Sequence, residues 1–353
     1  FFIYTMAGSV TMLLGFLGLY YATGTFDFLE LAKVARERGL AAELGSKLSW
    51  AGFSADGLSL LIFVAIFLGF AVKVPLIPFH TWLPTAYAEA PTPTTMLLTG
   101  LMSKMGVYGF LRILLPLFPE QMRMVLTPLL WLAVLTIVFS ACAAFAQKDL
   151  KRILAYSSVN HLGYCVLGVF AATTVTANDA QWTTEKAAAL NGVILQMFNH
   201  GLTASALFCF IGFLEQRSGG ARGLDDFGGL RKAAPVFCGL MGIALFASLG
   251  LPGLNGFVGE FLIFKGAFSL AAWATALAAL GLLVTAIFLL TLLQRVFHGP
   301  LNRKWAGIPD LTLGERVAVV PAVALMFLLG VYPQLAIGPI NATVLRMVEQ
   351  LKF

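Results

Sequence analysis

Long apolar runs separated by short polar connections dominate the chain. Runs such as Leu58 to Val72 show no alternation of polarity, whereas strands of a closed membrane barrel alternate over segments of about ten residues. A barrel is therefore excluded. A helical crossing needs about 20 apolar residues, and by that measure spans fall near 1–22, 58–79, 94–116, 124–146, 153–173, 186–214, 235–270, 272–298 and 316–334. This pattern predicts an all-α polytopic membrane protein with about nine transmembrane helices. Two of the spans read as broken. Residues 235–270 are too long for one straight crossing and contain Leu251-Pro252-Gly253-Leu254-Asn255-Gly256, and Pro75 and Pro78 follow Lys73 in the span 58–79. Pro and Gly clusters of this kind interrupt helices, and broken helices beside ionisable residues are a transporter signature.

The one long polar connection, 23–57, contains Leu29, Ala32, Val34, Leu40 and Leu44 among charges. Phe26 to Leu44 reads either as an amphipathic helix on the membrane surface or as a packed helix in an extramembrane loop. The chain begins inside an apolar stretch, Phe1 to Tyr21, with no initiator Met and no signal-peptide flank, so a preceding N-terminal part is expected.

Composition agrees with the pattern: 59% of the 353 residues are apolar and 11% charged, against about 45–50% and about 25% in soluble proteins. The net charge of +6 would suit nucleic acid, but most Lys and Arg lie in short loops, where they orient membrane proteins instead. Loops 147–152, 215–234 and 295–315 share one side of the alternating spans. That places Lys148, Lys151 and Arg152 on the cytoplasmic side, and the C-terminus with Arg346 and Lys352 opposite. Cys142, Cys165, Cys209 and Cys238 stand singly in apolar runs and read as small buried hydrophobes.

Ionisable residues inside spans are informative because each costs about 2.5–3.5 kcal/mol at a helix centre on insertion scales. Lys73 lies just before a helix break whose freed carbonyls could coordinate an ammonium, and Lys104 lies mid-span in Ser103-Lys104-Met105. Both are expected to exchange protons, since burial disfavours a charged ammonium. Glu260, after the second break, is expected to be a functional carboxylate. Lys265 lies five positions on, about 140° around the helix, so the two do not share a face. Lys265 either serves the pathway or snorkels to an interface. His161 and His200 occupy two further spans, where each is a packing residue or a proton relay. His80 reads as interfacial or structural, Glu89 as a loop acid before a Thr-capped helix, and Lys148 to Arg152 as a capping turn. No Walker loop, GxGxxG after a strand, HExxH or cysteine cluster occurs in the sequence, so no nucleotide, flavin or metal cluster is expected on this chain.

Several runs together resemble a known family. They are Val72-Lys73-Val74-Pro75, Phe79-His80-Thr81-Trp82-Leu83-Pro84, Ala88-Glu89-Ala90-Pro91-Thr92-Pro93, Asp149-Leu150-Lys151-Arg152, His161-Leu162-Gly163-Tyr164, Asn199-His200-Gly201 and Gly253-Leu254-Asn255-Gly256-Phe257-Val258-Gly259-Glu260-Phe261. The chain resembles the antiporter-like proton-channel subunits of respiratory complex I and the multisubunit cation/proton antiporters. Within that family, Glu260 selects the M type of bacterial NADH-quinone oxidoreductase, the counterpart of mitochondrial subunit four, because the L and N types carry lysine there.

The resemblance implies a fourteen-helix fold with two inverted repeats, of which this chain supplies the last nine helices. It places the end of the first repeat at 1–116, the second at 124–298 and a C-terminal helix at 316–353. It implies a proton line through Lys73, Lys104, His200 and Glu260, beside which the residues alone leave His161 and Lys265 as weaker candidates. The family glutamate that partners Lys73 has no counterpart here. The resemblance also implies a bacterial inner membrane location and L-type and N-type neighbours, with NAD, FMN, iron-sulfur clusters and quinone held by partner subunits. A cation/proton antiporter subunit is the rival, and a packing scaffold without chemistry a third possibility.

Overall fold

The computed structural model describes residues 1–37, 39–48, 52–174 and 179–351. Lys352, one of the charges used for orientation, lies outside them. Among the described residues all regular structure is helical: α1 Phe2–Thr23, α2 Phe28–Glu37, α3 Leu40–Leu48, α4 Ala55–Lys73, α5 Trp82–Glu89, α6 Thr92–Leu117, α7 Pro119–Met124, α8 Leu126–Phe145, α9 Leu150–Ala171 and α10 Asp179–Ser218. They are followed by α11 Pro235–Ser248, α12 Asn255–Leu270, α13 Ala272–Phe297, α14 Leu313–Val331 and α15 Gln334–Gln350, with short 3₁₀ turns between. Eight of these helices are long and apolar enough to cross a membrane, and the expected span 235–270 is instead two shorter helices, α11 and α12.

The helix breaks differ in kind. The second is as expected: α11 ends at Ser248, α12 starts at Asn255, and Gly250 and Gly253 between them take positive φ, which a residue without Cβ adopts without strain. The first falls after a complete helix, not within one. α4 ends at Lys73, Pro75 and Pro78 lie in the non-helical stretch 74–81, and the chain then forms the short helix α5. The expected span 58–79 is thus corrected to Ala55–Lys73. Pro lacks the N–H a continuing helix needs.

Other boundaries shift for local reasons. α10 is 40 residues long, well beyond 186–214, because its polar ends project past the apolar centre. The C-terminal stretch is two helices with Pro333 at the start of the second, not one. The 26–44 segment also forms two helices, parted at Gly39 with φ +74°. Their Leu31, Leu40 and Leu44 are buried, and α3 packs on α4 and α1. The packed loop helix is the alternative the structure adopts.

α9 is the axis of the bundle. It packs against α8, α10, α12 and α5, and all but two of its residues are buried, including Ser157, Ser158, Asn160 and His161. A helix that buries polar side chains around its circumference needs internal partners for them. Asn160 donates to Ile137 O at 2.8 Å and accepts from Thr285 at 3.2 Å, tying α9 to α8 and α13. Asp149 caps α9 through the Arg152 amide, as expected. By contrast, Glu89 ends α5 and pairs with Arg222, while the Thr residues beyond it make no cap; Thr95 donates instead to Tyr87 O. Of the four free cysteines only Cys165 is fully buried, and Cys142 is exposed.

Candidate functional site

Lys104 is 7% exposed and sits just after a π-helical turn, Leu98–Met102. Its ammonium reaches back to Thr99 O, lies 3.4 Å from Ser103 Oγ, and is 2.7 Å from His200 Nδ1. π-turns inside α-helices recur at functional sites because they loosen the carbonyl ladder. The close approach of α6 to α10 depends on two glycines. A Cβ on Gly201 would lie 2.8 Å from Gly100 O, and one on Gly100 would lie 2.6 Å from Ser205 Oγ. Small residues at such a crossing let backbones meet, which brings Lys104 to His200.

The next contacts run from α10 to α9 and α12. The His200 and His161 rings are 5.1 Å apart between centroids. His161 Nδ1 lies 3.0 Å from Glu260 Oε1, at ion-pair distance but outside hydrogen-bond alignment, and His161 Nε2 is 3.1 Å from Ser248 Oγ. Glu260 also accepts from Gln196 Nε2 at 3.2 Å. The register of α12 on α10 is held by a reciprocal asparagine pair. Asn199 donates to Asn255 O at 2.6 Å, and Asn255 donates to Asn199 O at 3.3 Å.

Between these residues is a polar cavity of about 10 Å³, lined in part by His161, Gln196, Asn199, His200 and Glu260. Gln196 Oε1 and Asn199 Oδ1 are buried there without a partner in the protein. A cavity near 10–15 Å³ with several polar partners holds about one water, and a water can bridge groups not in direct contact. Lys104, His200, His161 and Glu260 therefore form one buried polar line across α6, α10, α9 and α12.

Lys73 stands apart from that line. It is half-buried beside a cavity of about 340 Å³, lined among others by Thr5, Ser9, Trp82, Met102 and Ser103. Among the described residues its ammonium has no hydrogen-bond or ion-pair partner. The expected carbonyl coordination does not occur, because the freed carbonyls are taken: Phe70 O by Val74 N, Ala71 O by Leu76 N and Val72 O by the Trp82 indole. Ser103 connects the two lysines, since it lines the Lys73 cavity and touches Lys104. Lys265 is outside the line altogether. It is 46% exposed and pairs with Glu185 at 3.3 Å. Sequence reasoning missed Gln196 and Ser248, whose side chains carry no charge to mark them, and His161, read there as a packing residue or a relay, lies within the line.

The transmembrane-region profile described as "NADH:quinone oxidoreductase/Mrp antiporter, TM" matches residues 1–287. The chain belongs to this family. It is 37% identical over 350 residues to NADH-quinone oxidoreductase subunit M of Rhodobacter capsulatus, covering 99% of this chain and 65% of that protein. The chain thus spans less than two thirds of that relative's length. Respiratory complex I from Thermus thermophilus contains a chain of the same fold with a TM-score of 0.84 and 31% identity, covering 99% of this chain and 68% of that one. A chain of the Mrp complex from a Dietzia species superposes with a TM-score of 0.78 at 20% identity, covering 99% of this chain and 67% of that one, a likeness of fold alone. The M-type resemblance carried by Glu260 agrees with the subunit M relatives.

Proposed function

We propose that this chain is the proton-translocating M-type subunit in the membrane arm of a bacterial NADH-quinone oxidoreductase. The observation that carries the reading is the buried line Lys104, His200, His161 and Glu260, whose members contact one another or share a water-sized polar cavity. Each of the four side chains can bind and release a proton, and histidine can do so through either ring nitrogen. Redox chemistry belongs to partner subunits holding NAD, FMN, iron-sulfur clusters and quinone, with L-type and N-type chains as membrane neighbours in the bacterial inner membrane. A charge displacement arriving from quinone reduction would move a carboxylate relative to Lys73, and Ser103 and Lys104 would pass the proton inward.

Replacing Lys73 by Ala in the intact complex, reconstituted in sealed vesicles, is expected to abolish NADH-driven proton uptake through this subunit. Normal pumping by that variant would sink the reading. The rival, a cation/proton antiporter subunit, draws support from the fold likeness to the Mrp complex. Quinone-oxidoreductase genes beside this one would favour the first reading, and antiporter genes the second.

A further inference from the structure

Arg112 is the remaining charge inside α6, and it does not take part in the proton line. It lies on a second π-turn, Phe110–Leu114, about one and a half turns before the helix ends. The guanidinium is exposed and, among the described residues, has no hydrogen-bond or ion-pair partner. An arginine that close to a helix end reaches the interface by snorkelling, the level at which lipid phosphates lie.

Arg112 forms one wall of a groove of about 430 Å³, shared with Tyr108 and Ile113 from α6 and with Asp27, Phe28 and Leu29 from the start of α2. The groove is amphipathic in a particular way. Tyr108 is 56% exposed and Leu29 64% exposed, giving apolar and aromatic walls of the kind found at membrane–water boundaries. Asp27 supplies the opposite charge but makes no salt bridge with Arg112. Its Oδ1 accepts the amides of Leu29 at 2.7 Å and Glu30 at 3.4 Å, while among the described residues Oδ2 makes no hydrogen bond. A free cation and a half-free carboxylate thus face one apolar groove without neutralising each other.

We propose that this groove binds the headgroup of an aminophospholipid, phosphatidylethanolamine in chemical class. Arg112 would bind the phosphodiester, since guanidinium donors match phosphate oxygens. Asp27 would accept from the ammonium, and the acyl chains would lie along Tyr108, Ile113 and Leu29. The charge pattern commits the site to a zwitterion: an acidic lipid with no ammonium would leave Asp27 repelling it. The groove lies at the Leu117 end of α6, opposite the end near Glu89, so the lipid belongs to the leaflet facing away from Lys151 and Arg222.

The test is lipid retention by the intact, partly delipidated complex, read by native mass spectrometry during titration with phosphatidylethanolamine or phosphatidylglycerol. The unmodified protein is expected to retain one phosphatidylethanolamine in preference to phosphatidylglycerol. Arg112→Gln should weaken retention of both by about tenfold, the scale of a charge-assisted hydrogen bond. Asp27→Asn keeps a good helix-capping side chain and should lower only the preference, by about two- to fivefold, the range of an exposed ion pair. Unchanged retention in both variants would overturn the proposal. So would a photocrosslinker placed at Tyr108 that captures polypeptide instead of lipid.

Discussion

Glu260 shows how closely the site is determined at the level of single residues. Its carboxylate faces His161 and Gln196 on one side and the backbone of the helix break on the other, where a Cβ on Gly250 would lie 2.7 Å from Oε2. Gly250 also has φ +79°, a conformation that disfavours a side chain. The break is thus the carboxylate's seat. Gly250→Ala is expected to displace Glu260 at an overpacking cost of about 1–3 kcal/mol, and so to lower pumping. A pumping assay on complex assembled to normal levels checks this; full activity would show that the carboxylate does not depend on the break.

Lys104 and Glu260 are legible in the sequence because charged groups are rare inside apolar runs, whereas the residues alone leave His161 and His200 alike, and only the family resemblance gives His200 more weight. A lone histidine on a buried helix looks the same whether it packs or relays, and Glu260 is far from His161 in sequence. Only the packing of α12 on α9 brings them to 3.0 Å.

Helix ends, by contrast, are joined by ionic and capping contacts away from the membrane centre. Arg222 binds Asp149 at 2.7 Å, Glu89 at 3.1 Å and Ala88 O at 2.7 Å, fastening the end of α5 to the start of α9. Lys151 pairs with Glu215 at 2.8 Å, adding the end of α10. The capping part of this turn was readable from Asp149, but its partners lie on later helices and were not.

Asp310 performs the equivalent task for α11. Its carboxylate accepts the Val236 and Phe237 amides, both at 2.9 Å, and its own neighbour's amide, Leu311 N, at 2.7 Å. Burial alone would raise its pKa, but these N–H groups and nearby Arg316 hold the carboxyl below its ordinary value of 3.8. A carboxyl depressed in the folded state stabilises above its unfolded pKa, and that contribution disappears as pH falls through the folded pKa. Asp310→Asn is therefore expected to lower the thermal midpoint at neutral pH, with the gap from wild type closing only in acid below pH 3.8. Melting curves across pH in detergent read this directly, and a gap that widens on acidification would refute it.

Across the whole molecule, the polar line occupies the interior while apolar surfaces face outward, and the second helix break reaches the surface at Leu251, Pro252 and Gly253. α1, α13 and α14 expose large apolar residues such as Leu14, Leu283 and Val317, consistent with helices that meet lipid or other chains. The helical class and the long apolar helices were legible from run length, whereas the short helices α5 and α7 and the separate α15 were not. The separation of Lys73 from the line was not, because it depends on how the chain turns after α4 and on the Trp82 indole occupying the carbonyl of Val72. The two lysines are related through Ser103, and the remaining members follow in order across α10, α9 and α12.

That order is the central claim, and the proton-to-electron ratio of the intact complex in sealed vesicles tests it most directly. His161→Gln keeps a polar side chain of similar reach but cannot carry a proton as imidazole does, and Glu260→Gln keeps the shape of the carboxylate without its charge. Each variant should lower the ratio, and the double variant should lower it no further than either alone, because one interrupted line cannot be interrupted twice. Unchanged ratios, or additive losses from the two substitutions, would contradict a single line through His161 and Glu260.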